Sequence, residues 1–272
     1  MNSFIKCTTE PILALHISFV PQIQNGDDIL VEFNDPYKRF AVLETILFEN
    51  LPSPELEMED EFYFIFIPSG SATSGEVQRK AERFIGTSVI ETFMQSDRVI
   101  WRIGWGIVQG SVDRLEETLM ALANFAFYEG ELRKLEREIK LNWNIAEQDI
   151  HLTNSITKKN LKYQQHIDSM TRLMNTQRIR FARLEPRLQK SPLYLSGLAR
   201  RLVSELCVQA DIIDRLEAVS DRLEVFENLY GIANDRISEF RHFHTECMLK
   251  FWIIIILFVE VVIMALELYP LV

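Results

Sequence analysis

Residues 214–266 read DRLEAVSDRLEVFENLYGIANDRISEFRHFHTECMLKFWIIIILFVEVVIMAL, and two patterns follow one another along them. From Leu216 the residues Val219, Leu223, Phe226, Tyr230, Ala233, Ile237, Phe240, His244, Cys247 and Phe251 recur at alternating three- and four-residue steps. That spacing, kept for more than four heptads, is the period of a left-handed coiled coil. The DRLE at 214–217 returns at 221–224, one heptad later, as a repeated charged seam requires. Met248–Leu266 then forms a 19-residue stretch whose only charges are Lys250 and Glu260, against the roughly 20 apolar residues that span a bilayer core. Ile253, Ile254, Ile255 and Ile256 run consecutively between Trp252 and Tyr269, aromatic residues placed where the two bilayer interfaces fall. The segment predicts a coiled-coil stalk entering one transmembrane helix. A stalk of about 50 residues would reach about 75 Å.

Upstream, no proline occurs from 69 to 185 or from 193 to 269, and Gly130 stands alone between 111 and 196. Proline costs about 3 kcal/mol inside a helix, so its absence permits long helices. Ser111 is a candidate N-cap, with Asp113, Glu116 and Glu117 complementing the positive helix start. Val112, Leu115, Leu119, Leu122 and Ala126 form one face, continued by Leu132, Leu135 and Ile139. The more polar stretch 147–160 allows a bend or short loop. Tyr163, Ile167, Met170, Met174, Phe181, Leu184 and Leu188 form a second face, with Gln177 in a polar position. LEPRLQKSPL (184–193) predicts a hairpin turn.

Residues 1–110 differ in kind. They hold most of the glycine and proline and most of the excess acid. ILALHISFV (12–20), ILVEF (29–33), EFYFIFIP (61–68) and RVIWRIGWGIV (98–108) read as strands. YKRFAVLETILFEN (37–50) puts Phe40, Leu43 and Leu47 on one helical face, and SGEVQRKAERFI (74–85) does so with Val77, Ala81 and Phe84. PSPELEMEDE (52–61) reads as an acidic linker. The expected class is α+β: a small acidic α/β domain (1–110), a long helix or helices (111–190), a coiled-coil stalk helix (191–249) forming a helical hairpin with them, and a transmembrane anchor (250–269).

Composition narrows the function. The 272 residues are 47% apolar and 25% charged, which excludes bulk disorder and low complexity. A net charge of −10 disfavours nucleic-acid binding through a basic surface. Cys7, Cys207 and Cys247 lie far apart without a CxxC pair, so a reducing compartment is the simpler reading. Lys6 is the only early base, and Pro11 and Pro21 interrupt any apolar helical run, so neither a secretory signal nor a transit peptide is predicted. Arg241 and Lys250 precede the span and no base follows it, which predicts a single-pass, tail-anchored protein with a cytoplasmic N-terminal domain.

Candidate sites are few. Gly104, Gly106 and Gly110 form G-x-G-x-x-x-G between a predicted strand and helix, where a dinucleotide fingerprint belongs. The spacing is one residue too long, so a turn into the helices is preferred and no cofactor is predicted. SGSATSG (69–75) lacks the lysine of a phosphate loop and reads as a loop. His244 and Cys247 share a helical face while His242 points elsewhere, a poor metal set, so packing on the seam is preferred. Glu260 lies inside the span, where a carboxylate is costly and ordinarily faces a partner, a cavity or water. Contact with a partner or with another copy is the preferred role. Trp252, Leu216, Leu223, Phe226, Tyr230, Ile237 and Phe240 complete the expected oligomer and membrane contacts. No HExxH, GxSxG, triad or kinase signature occurs, and no catalytic residue is predicted.

SPLYLSGLARRL (191–202), DRLEAVSDRLEVFENLY (214–230) and KFWIIIILFVEVVI (250–263) together resemble the required-for-meiotic-nuclear-division family. Its members are similar in a tyrosine-containing helix start, a long helix, then a tryptophan, an isoleucine run and a glutamate inside the anchor. Here those are Trp252, Ile253 to Ile256 and Glu260. The likeness covers about the last 80 residues, with a weaker extension through WRIGWGIVQGSVDRLEETL (101–119). It implies a membrane-anchored protein acting by assembly or tethering. The expectation is a homo-oligomeric scaffold whose acidic domain is open to a protein partner. The alternatives are a transport or gating component using Glu260, or an enzyme with an unrecognised site in residues 1–110.

Overall fold

The computed structural model describes residues 12–52, 60–69, 90–95, 97–153 and 162–268. The chain is mixed α+β, with a seven-stranded sheet followed by helices, the last long and apolar. It divides into two compact units: Met1–Glu138 with Arg178–Ser220, and Ile139–Gln177 with Asp221–Val272.

The strands are β1 (Leu13–Val20), β2 (Ile29–Phe33), β3 (Arg39–Ile46), β4 (Glu61–Pro68), β5 (Ile90–Met94), β6 (Asp97–Arg102) and β7 (Trp105–Gly110). They lie in the order β2-β3-β1-β4-β7-β6-β5. Every neighbouring pair is antiparallel except β4 and β7, which run parallel with Tyr63 opposite Trp105 and Ile65 opposite Ile107. The expected strands at 12–20, 29–33 and 61–68 are β1, β2 and β4.

Two readings of this region are corrected. The stretch 37–50 is a strand over 39–46, followed by a short 3₁₀ turn at Phe48–Asn50. β3 is hydrogen-bonded on both edges, to β1 and β2, so tertiary pairing overrides the helical spacing. Leu47, which a helix would have buried with Phe40 and Leu43, is 61% exposed. RVIWRIGWGIV is two strands rather than one, because the chain reverses at Ile103 and Gly104. Gly104 sits at φ +73°, a left-handed conformation that glycine adopts without penalty. The expected helix at 74–85, the loop at 69–75 beyond Ser69 and most of the linker at 52–61 lie outside the described residues.

Four helices follow: α1 (Leu115–Asp149), α2 (Gln164–Gln189), α3 (Gly197–Gln209) and α4 (Ile212–Leu268). The first unit packs α1 against one sheet face through rings. Phe127 stacks on Phe33 at 4.1 Å and meets Phe19 at 5.4 Å, while Phe125 lies edge-on to Trp101 at 5.1 Å. The other face carries the buried cluster Ile65, Ile67, Ile100, Trp105 and Ile107. Ser111 caps the turn that leads into α1, its hydroxyl accepting from the Asp113 amide. The turn expected at 184–193 begins later. α2 continues through Pro186 to Gln189, because a proline in the last turns of a helix breaks only one bond of the ladder. Ser196 then caps α3 by accepting from the Ala199 amide at 3.2 Å, and Asp211 at φ +50° separates α3 from α4.

The second unit brings together the end of α1, the start of α2 and α4. Phe226 of α4 lies 5.3 Å from the Trp143 ring of α1. The Tyr230 hydroxyl donates to Asp149 at 2.9 Å, and the same carboxylate oxygen is 2.7 Å from His166 Nε2 of α2. Asp149 therefore joins three helices.

Candidate functional site

Leu216, Leu223, Phe226, Tyr230 and Ile237 are all buried within the single chain. Leu216 is buried in the first unit, and in the second Trp143 and Asp149 of α1 meet Phe226 and Tyr230, contacts that the sequence pattern assigned to another copy. A 3–4 spacing marks any helix packed nearly parallel to its neighbours, whether they belong to one chain or two. These side chains are therefore core of the single chain, while Val225 and Ile232 of the same helix are exposed.

The seam changes character toward the C-terminal end of α4. Phe240 is half-buried, and every residue from Arg241 to Met264 is exposed except half-buried Ile255. An 18-residue window of α4 has a mean hydropathy of 2.6, and none of it is buried. Among the described residues α4 is the one helix long and apolar enough to cross a membrane. Trp252 is 56% exposed at the start of this stretch, and Glu260 is exposed within it. Lys250 lies 3.7 Å from Glu246 on the polar side of the boundary.

His242, His244 and Cys247 occupy this bare segment, all exposed. The His244 ring lies 6.4 Å from Phe240 and nearly parallel to it. Among the described residues no group of three metal-binding side chains converges. Cys247 is an open thiol, whereas Cys207 is buried and burial pushes its pKa up to about 12, leaving it neutral and inert.

The glycines serve the chain's own packing. A Cβ at Gly106 would lie 2.8 Å from Phe62, and one at Gly110 only 2.5 Å from the Asp97 carboxyl. Asp97 accepts from the Ser111 amide at 3.2 Å and from the Arg114 guanidinium. The space and the backbone donor that a pyrophosphate would need already hold an internal carboxylate. A cavity beside Gly104, lined by Phe62, Trp101, Glu129 and Arg133, measures about 30 Å³, room for about one water. The space beside Gly106 and Gly110 is thus taken by the chain's own Phe62 and Asp97.

Sequence reading missed two charged groupings. Glu129, buried on α1, accepts from Arg133 and from Arg215, which also pairs with Glu136. Glu131, also buried, pairs with Lys134 and Arg180. The alternating charges of EGELRKLERE (129–138) were the available signal, and their burial was not visible in it. The other grouping is Asp149 with His166 and Tyr230. Burial first, and then the bond to Asp149, push the Tyr230 hydroxyl above its ordinary pKa.

No family model matches this chain, and no curated protein does. The uncovered end of α4 has to be understood from its own residues.

Proposed function

We propose that this protein is a membrane-anchored scaffold, held to a bilayer by α4 and acting by assembly. The observation that carries the reading is the wholly unburied apolar window of α4. In water each such Ile, Leu or Phe forgoes about 1.5–3 kcal/mol of burial free energy. In lipid the same side chains are solvated, and the helix satisfies its own backbone. Arg241 and Lys250 ahead of the span support a cytoplasmic sheet unit. The likeness of residues 250–263 to the required-for-meiotic-nuclear-division family supports the anchoring role.

Self-association uses the stripe Phe240, His244, Cys247 and Phe251, which continues the inward seam but is exposed from His244 onward. In a parallel pair the two Cys247 side chains face one another across the axis. Alkaline carbonate extraction should leave the full chain in the membrane pellet and release a chain lacking residues 248–272. Release of the intact chain refutes anchoring. Copper-catalysed air oxidation in lipid vesicles should yield a disulfide-linked dimer that Cys247→Ser abolishes. A reaction without that dimer refutes association along this stripe.

A further inference from the structure

We propose that the Glu260 face of α4 docks onto a transmembrane helix of a different protein, one carrying a basic side chain near the middle of its span. This rests on the reading that α4 enters a bilayer. Glu260 lies ten residues beyond Lys250, a rise of about 15 Å, which puts it near the centre of a hydrocarbon core about 30 Å thick. A carboxylate at that depth is costly unless a partner group meets it.

A second copy of the chain is the wrong partner for two reasons. The first is angular. At about 100° per residue, Glu260 falls more than about 120° round the helix from the stripe Phe240, His244, Cys247 and Phe251. Ile256, Leu257, Ile263 and Met264 flank Glu260 instead, and those side chains are exposed. A pair of copies joined along the stripe leaves Glu260 pointing away from the joint. The second is charge. From Phe251 to Leu268 the chain holds no Lys, Arg or His, so another copy meeting this face brings no base to pair with Glu260. Among the described residues Glu260 has no partner in its own chain. The complement must come from a helix that brings a cation, which in hydrocarbon is subject to the same cost and is relieved by the same pairing.

The test uses the full chain in its native membrane, with a photo-crosslinking amino acid at Leu257 or Met264 on the glutamate face, or at Ile254 on the stripe. At 257 and 264 the expected adduct joins a different protein within a span that contains a Lys, Arg or His. That adduct should fall about tenfold in Glu260→Leu, while the adduct at 254 is unchanged. Adducts at 257 and 264 made only of this chain, adducts that persist in Glu260→Leu, or no protein adduct there would each overturn the inference. Carbonate extraction of the same samples separates the two readings. Retention in the pellet without a Glu260-dependent adduct overturns this inference alone. Release of the intact chain overturns the anchor, and this inference with it.

Discussion

Phe226→Ala removes a fully buried ring that lies 5.3 Å from Trp143. Truncating a buried phenylalanine costs about 3–5 kcal/mol, of which the aromatic pair supplies about 0.5–1.5 kcal/mol. For a cooperative unit of this size each kcal/mol lowers the melting temperature by about 2–4 °C, so the fall should be about 6–20 °C. Because the partner ring belongs to the same chain, the fall should be identical at widely different protein concentrations. Thermal unfolding of the detergent-solubilised protein, followed by far-UV circular dichroism, measures it. Arg222→Ala and Glu224→Ala, on exposed neighbouring positions, should change stability by no more than about 0.5 kcal/mol. A fall that shrinks as concentration rises would show that the seam joins two chains, and the inward assignment of Phe226 would be refuted. Equal effects at Phe226 and Glu224 would refute the register itself.

Arg215→Leu should destabilise the first unit, because buried Glu129 and half-buried Glu136 both lose a guanidinium. Arg133 keeps its bond to Glu129, so the loss should fall below the about 3–5 kcal/mol of a charge left wholly unpaired. A denaturant midpoint unchanged from the original would contradict this. Alkaline pH should also destabilise the protein. Burial raises Cys207 from 9.0 to about 12, and burial with the Glu61 hydrogen bond raises Tyr63 from 10.0 to about 12. A raised pKa in the folded state means stability that is complete below the unfolded value and lost as pH climbs through the folded one. The loss should therefore run from about pH 9 to about pH 12, and Cys207→Ala should flatten its onset in denaturant titrations. An onset that is the same in both proteins would contradict the burial of that thiol.

The strands most legible in the sequence were those bounded by breakers and rich in aromatic and β-branched residues, as β2 and β4 are. β3 was illegible because Phe40, Leu43 and Leu47 satisfy a helical period, while what makes it a strand is pairing on both edges, with β2 close by in sequence and with β1 twenty or more residues away. The RVIWRIGWGIV stretch concealed a reversal that one glycine, Gly104, is enough to make. The apolar end of α4 was legible from composition alone, since the run FWIIIILFV carries no polar or charged residue. Asp149 with His166 and Tyr230 was not legible, because three residues on three helices have no shared spacing. The glycines resemble a phosphate-binding pattern for a physical reason. Gly106 and Gly110 are small to admit Phe62 and Asp97, and a close approach by a side chain leaves the same mark in sequence as one by a phosphate.

The seam of α4 shows why its direction could not be read from its period. Ile237 is 2% exposed, Phe240 is half-buried and Arg241 is exposed. The change falls where the neighbours run out. α1 ends at Asp149, α2 begins at Gln164, and Gln164 bonds Arg241. From Arg241 to Phe251 eleven residues of α4 are exposed, a length of about 16 Å against the about 75 Å expected of a free stalk. The polar layer on each side of a bilayer core is only about 5–8 Å deep. On the proposed anchoring, with the core beginning near Lys250, Phe243 at 67% exposure would lie about 10 Å outside it. Lipid would then solvate α4 from about Lys250 onward and leave Phe243 beyond the polar layer. Anchoring alone would therefore leave Phe243 uncovered, which supports the proposal that the protein also acts by assembly. A spacer needed only for reach could be polar throughout, and here Phe240, His244, Cys247 and Phe251 instead hold the seam's period to the membrane.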